Sequence, residues 1–237
     1  MARVVAICYL SVTAEKSVGH FPQRAMHKTV AHTMNKPLRN IITLGLLLIG
    51  ITLFGQEFEF DIQNTSLKQY LKIEESLGSE KVPNIRNHIS FDGNAQPLKF
   101  KREQEIISDL ICYYYFKEKD SIMSHILYEW DESLHNLKPN TQEKKSKEYQ
   151  IALIEKFNEL EKELTELYGK PKSRGDLSDL KQAELKGGLK KNDKWYPNET
   201  TEIEMYIVVS NFYKKSGMIT ITPTHRIRLY IRNLKTK

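Results

Sequence analysis

Two carboxylates, Asp109 and Glu129, bracket the stretch of this chain richest in groups that could do chemistry, which also holds Tyr113, Tyr115 and His125. Ile106–Phe116 and Ile122–Trp130 are dense in β-branched and aromatic residues, and the polar Lys117–Ser121 between them reads as a turn. A hairpin centred on Lys119 sets Tyr115 opposite Met123, Tyr113 opposite His125, Ile111 opposite Leu127 and Asp109 opposite Glu129. Facing carboxylates repel unless a proton, a metal or an arginine stands between them. The pair is therefore either an acid/base couple, with His125 two same-face positions from Glu129, or a strained contact neutralised by an arginine of the last strand.

Period-two alternation sorts this hairpin into two faces. Leu110, Cys112, Tyr114, Phe116, Ile126, Tyr128 and Trp130 belong to the core face. Asp109, Tyr113, Tyr115, Lys117, His125 and Glu129 belong to the wetter one, where Tyr113, Tyr115 and His125 form an aromatic patch that either stacks a sugar or grips a peptide, or is buried under the N-terminal segment or the Lys172–Lys194 loop. Arg226, Arg228 and Arg232 line the outward side of the last strand, and no acid follows Glu204. They serve either an anionic ligand or cross-strand pairing with Glu202 and Glu204. The candidate binding face is Tyr113, Tyr115, His125, Asp109, Glu129 and Arg228.

Local catalytic signatures are missing: the sequence has no glycine-rich phosphate loop, paired-histidine zinc motif, CxxC or nucleophile elbow. No cofactor and no metal are expected. His20, His27 and His32 are spaced 7 and 5 apart, which puts no two of them one helical turn apart at i, i+4. Asp131, Glu132 and His135 have helical ligand spacing, but Pro139 and Asn140 argue for a loop there. Arg174-Gly175-Asp176 spells an integrin-binding tripeptide in an expected loop, too short a match to carry weight. Cys112, inside an apolar strand, reads as a buried hydrophobe.

The elements that must position these residues follow from pattern. Ser66–Leu77 reads as a short helix and Ser79–Asn87 as loop, while Ile89–Phe91, the Asp92-Gly93-Asn94 turn and Leu98–Phe100 read as a hairpin. One strong helix, capped by Asn140 or Thr141, runs to Tyr168 on the stripe Tyr149, Leu153, Phe157, Leu160, Leu164 and Leu167. Gly169 and Pro171 stop it. Lys172–Lys194 is polar and reads as an excursion with a helical turn or two. Glu202–Ser210 alternates strictly, and Met218–Ile231 ends with Ile227, Leu229 and Ile231 inward. Strands on both sides of one long helix predict an α+β fold, an antiparallel β-sheet packed against that helix.

The chain has 237 residues, 40% hydrophobic and 28% charged, enough for a folded core and too Cys-poor for a disulfide scaffold. Its formal charge of +6 is concentrated early: up to Gly55 there are six basic residues and one acid, leaving 30 against 29 thereafter. A near-neutral body lacks the electrostatic footprint of a nucleic-acid binder. Ile41–Phe54 is 14 uncharged residues preceded by Lys36 and Arg39. That is short of the roughly 20 needed to span a bilayer and fits the apolar core of a signal peptide. The expected organisation is an extension over 1–33, a signal peptide over 34–55 beginning at Met34, and one domain over 56–237.

The leader, the helix stop Tyr168-Gly169-Lys170-Pro171, the later Trp195 and the two terminal strands together resemble small exported proteins of unknown function from Gram-negative bacteria, Bacteroidota especially. The resemblance implies export and an α+β fold and carries over no catalytic residue. The expectation is a periplasmic or secreted, non-catalytic domain that binds a protein, peptide or cell-envelope component, touching the membrane only through its signal peptide and binding no nucleic acid. The alternative is an envelope hydrolase using Asp109, Glu129 and His125.

Overall fold

A computed structural model describes residues 58–84, 93–131, 133 and 143–236. Every described residue belongs to one compact unit, 56–237. The leader run Ile41–Phe54, the early histidines, the expected strand Ile89–Phe91, the expected caps Asn140 and Thr141, and Glu132 with His135 all lie outside the described residues.

The fold is α+β on an eight-stranded, wholly antiparallel sheet. Helix α1 (Leu67–Ser76) is followed by a meander of β1 (Glu80–Val82), β2 (Leu98–Arg102), β3 (Leu110–Phe116) and β4 (Met123–Asp131). Helix α2 (Lys147–Tyr168) then leads to a second meander, β5 (Lys172–Asp176), β6 (Leu189–Asn198) and β7 (Thr201–Ser210). A separate two-stranded hairpin, β8 (Lys214–Ser216) and β9 (Ile219–Ile221), precedes the last strand, β10 (Thr224–Asn233). The order across the sheet is β1-β2-β3-β4-β10-β7-β6-β5, so β10 closes the two meanders into one sheet. Three strands separate β4 from β5, which therefore run in the same direction, and a crossover along one face must join them. Helix α2 lies on that crossover.

One face of the sheet carries the core. It presents Leu110, Cys112 and Tyr114 from β3, Ile126, Tyr128 and Trp130 from β4, Ile227, Leu229 and Ile231 from β10, and Ile203, Met205, Ile207 and Val209 from β7, all buried. Leu153, Phe157, Leu160 and Leu164 of α2 pack on it. The expected stripe holds through Leu164, but Leu167 is 53% exposed, because the 3.6-residue period continues the buried face to Tyr168 instead. The long helix does not cover the sheet alone. Tyr70 of α1 and the segment Phe58–Ile62 complete the layer, with Phe58 edge-on to Tyr128.

Several ends follow local chemistry. Ser66 caps α1 in a capping box with Gln69, whose amide oxygen accepts from the Ser66 backbone N–H at 2.9 Å. Helix α2 starts from Ser146, whose hydroxyl accepts from the Tyr149 backbone N–H. At its other end Gly169 takes φ +78° with ψ −172°, an extended positive-φ conformation open to glycine. The Gly169 carbonyl accepts from Trp195 Nε1 at 3.1 Å, so two of the features behind the sequence resemblance meet in space.

Three expectations about elements are corrected. Ser79–Asn87 is not all loop, since β1 pairs with β2 there. Lys172–Lys194 is β5, a short 3-10 turn (Leu180–Glu184) and the first part of β6. The inward positions of β6 are Leu189, Lys191, Asp193 and Trp195, and the two charged residues break the apolar alternation. They are tolerated because Lys191 Nζ reaches Glu161 of α2 at 2.6 Å and Asp193 at 3.4 Å. The Arg174-Gly175-Asp176 tripeptide accordingly lies in edge strand β5, opposite Asn192, Lys191 and Lys190, and not in a loop. Met218–Ile231 is broken between β9 and β10.

Candidate functional site

The second face of the sheet holds the residues singled out from the sequence. Its small apolar cluster is made of sheet residues alone among those described: Ile111, Tyr113 and Leu127, with Tyr115 and Tyr230 against them. Both helices pack on the opposite side, through Tyr70 and through Leu153, Phe157, Leu160 and Leu164.

Register explains how the face is assembled. His125 stands opposite Tyr115 on one side and Arg232 on the other. Tyr113 faces Leu127, and Tyr230 lies opposite Leu127 and Glu204. Arg228 is flanked directly by Glu129 and by Tyr206. Two aromatic stacks result. Tyr115 lies on the His125 ring with centroids 3.9 Å apart and on Tyr113 at 6.3 Å, and Tyr206 stacks with Tyr230 at 6.4 Å. The Arg232 guanidinium covers the Tyr230 ring at 4.4 Å.

Between the stacks runs a ladder of ion pairs. Arg228 Nε donates to the Glu129 carboxylate, Nη2 to Asp131 at 3.3 Å and Nη1 to the Tyr206 hydroxyl at 2.9 Å. Arg226 adds a second contact to Asp131 at 3.5 Å. Arg232 Nη1 bridges Glu202 at 2.7 Å and Glu204 at 2.8 Å, and Lys194 meets Glu204 at 3.1 Å. The arginine stripe is thus spent on carboxylates of β4 and β7.

Titration follows these surroundings. Burial pushes the Glu129 carboxyl up, and the adjacent Arg228 pulls it only part of the way back. Burial drives His125 down to about 4, with the Arg232 charge adding to the effect, so the ring is neutral at pH 7. Burial also raises Tyr113, and Tyr115 to about 12. Glu204 goes the other way: its burial is outweighed by hydrogen bonds from Asn192, Arg232 and Lys194, which bring it to about 2.

Of the six candidate residues, five share this face: Tyr113, Tyr115, His125, Glu129 and Arg228. Asp109 does not join them. It precedes β3 and accepts a hydrogen bond from the Gln104 backbone N–H at 3.2 Å, while Ile111 stands opposite Glu129. The cause is the β3–β4 turn, where the register shifts between Tyr115 and Phe116 and Ser121 takes φ +58°. This slides the pairing by two residues from the expected one. A two-residue slip preserves faces and changes partners, so the face forms as expected and the Asp109–Glu129 pair does not. His125 and Glu129 are four residues apart on one strand, roughly 13 Å along it, too far to share a proton.

Asp131, Glu202, Glu204, Tyr206, Tyr230 and Arg232 complete the face. Tyr230 shares strand parity with Arg226, Arg228 and Arg232, a signal the sequence contains. Among the described residues no group of three His, Cys, Asp or Glu side chains is placed to hold a metal ion, and no helix is long and apolar enough to cross a membrane. Comparison of the chain with protein families, with curated proteins and with solved structures finds no match.

Proposed function

We propose that this protein is an exported, non-catalytic binding domain that engages a protein, peptide or cell-envelope component through the second face of its sheet. The observation that carries the reading is the combination on that face of two planar aromatic stacks with an ion-pair ladder that neutralises itself. Tyr115, His125, Tyr206 and Tyr230 are half-buried and offer planar contact area at little cost in conformational entropy, while Glu129 and Asp131, buried against their arginines, leave the face without a strong net field. Glu129 is engaged by Arg228 and stands well away from His125, which leaves the hydrolase alternative without the acidic pair it requires. Export is supported by the basic, short apolar leader.

The test is a titration of the isotopically labelled protein with peptidoglycan fragments, lipopolysaccharide and a set of extended peptides, read by amide shift changes. Shifts clustered at Tyr113, Tyr115, His125 and Tyr230, with affinity about tenfold weaker in Tyr115→Ala, are expected for one of these classes. Shifts confined to α2, or none with any of them, would overturn the assignment of the face.

A further inference from the structure

The β8–β9 hairpin stands outside the eight-stranded sheet and is exposed along its whole length. Gly217 and Met218 form its two-residue turn, with Gly217 at φ +58°, the conformation that a tight hairpin demands of its first turn residue. Pairing sets Lys214 opposite Ile221, Lys215 opposite Thr220 and Ser216 opposite Ile219. Directly opposed residues share a side, so Ile219, Ile221 and Lys214 lie on one surface of the ribbon while Lys215 and Thr220 occupy the other. Met218 projects at the tip, fully exposed, with Ile219 69% and Ile221 40% exposed behind it. The other large exposed apolar residues, such as Ile106, Leu167 and Leu185, are scattered singly and need no explanation. These three are contiguous.

The charge beside them is of one sign. From Met205 to the end the sequence contains no Asp or Glu. Arg226, Arg228 and Arg232 take their carboxylates from β4 and β7. Lys214 and Lys215 make no ion pair among the described residues, so their charge is available to a partner. An apolar tip rimmed by uncompensated lysines is the chemistry of a segment that seats at a lipid–water interface, with side chains entering the acyl boundary and ammonium groups held at the headgroups.

We propose that this hairpin is a membrane-contact tip for an anionic lipid bilayer. The proposal does not depend on the sheet-face reading, because it uses none of the residues on that face. The experiment places a reporter at the tip, Met218→Trp in the full chain; the two native tryptophans, Trp130 and Trp195, are buried. Vesicles of zwitterionic lipid alone, or with one third phosphatidylglycerol, carry brominated acyl chains that quench only an inserted indole. Tethering through the apolar residues 41–54 would act on both vesicles alike, whereas quenching at position 218 reads the tip itself.

Quenching on the anionic vesicles and not on the zwitterionic ones is expected. Removing Lys214 or Lys215 in that background (Lys214→Ser, Lys215→Ser) should raise the lipid concentration at half-quenching about fivefold each. Ile219→Asp should abolish it. No quenching on either vesicle, or equal quenching on both, would overturn the proposal. So would a dimer in sedimentation of the wild-type chain that Met218→Asp dissociates, because the tip would then be a contact between copies.

Discussion

A histidine held near pKa 4 against an ordinary value of 6.5 makes the folded protein sensitive to acid in a defined window. The unfolded chain binds a proton at this residue between those two values while the folded chain does not. Stability therefore falls as pH drops from about 6.5 towards 4 and levels off below. Allowing for the partial exposure of the ring, the contribution is about 2 kcal/mol. Urea unfolding of wild type and His125→Gln at pH 7 and pH 4.5 should show a smaller loss in the variant; equal losses would mean the ring is not held neutral by its stack on Tyr115. Arg228 makes the complementary case. It contacts Glu129, which is 3% exposed, Asp131, which is 2% exposed, and the Tyr206 hydroxyl. Arg228→Met leaves two buried carboxylates short of a partner, and should cost about 2–4 kcal/mol in chemical denaturation. Adding Glu129→Gln should recover part of that loss. A double variant whose loss equals the sum of the losses of Arg228→Met and Glu129→Gln would show that the pair is not energetically coupled.

At the scale of elements, α1 is tied to the sheet by a buried polar knot. Arg102 of β2 donates through Nη2 to Glu74 at 2.6 Å and through Nε at 3.1 Å, and the Tyr114 hydroxyl also donates to Glu74. Burial alone would raise the Glu74 carboxyl, but the hydrogen bonds from Arg102 and Tyr114 outweigh it and hold it below its usual 4.5. Its stabilising contribution is thus present above pH 4.5 and is lost as pH falls through the lowered folded value. Glu74→Gln should cost about 3–5 kcal/mol at pH 7, since Arg102 is left buried without its counter-charge, and the gap to wild type should narrow in acid. A cost under 1 kcal/mol in thermal or urea melts would show that α1 is held by Tyr70 packing alone. The same elements show what a sequence can and cannot display. Helix α1, helix α2 from Tyr149 onward, β7 and β10 are legible, because each buries one face and its apolar period survives intact. Strand β6 is not legible, since its inward Lys191 pairs with Asp193 on the same strand and with Glu161 on a helix far away in the chain. Strand β5 is exposed at all five positions and owes its conformation to the hydrogen bonds of β6. The β3–β4 faces are legible and the partners across them are not, because parity is written in the alternation and register is written in the turn.

Across the whole molecule, the sheet is two meanders that neither close nor cover themselves until β10 enters between β4 and β7 and α2 crosses behind. The buried layer is still incomplete without the first described residues. Phe58, Phe60 and Ile62 are 2%, 1% and 3% exposed although they lie in no strand, and Phe58 packs on both Tyr128 and Trp130. Their burial bears on the proposed cleavage after Gly55. A chain beginning at Gln56 keeps the whole layer, whereas one beginning at Gln63 lacks three core side chains. Loss of a buried phenylalanine costs about 3–5 kcal/mol. Two such losses alone approach the roughly 5–15 kcal/mol by which a domain is stable at all. The 56–237 chain should therefore melt cooperatively by circular dichroism and resist protease at 25 °C. The 63–237 chain should melt far lower or show no transition, and should be digested within minutes. If both behave alike, the Phe58–Ile62 segment is an accessory to the core, and the start of the folded domain lies beyond Ile62. If only the longer one folds, the proposed cleavage has little room to move: a cut more than about two residues past Gly55 would remove Phe58, and with it stability the domain needs.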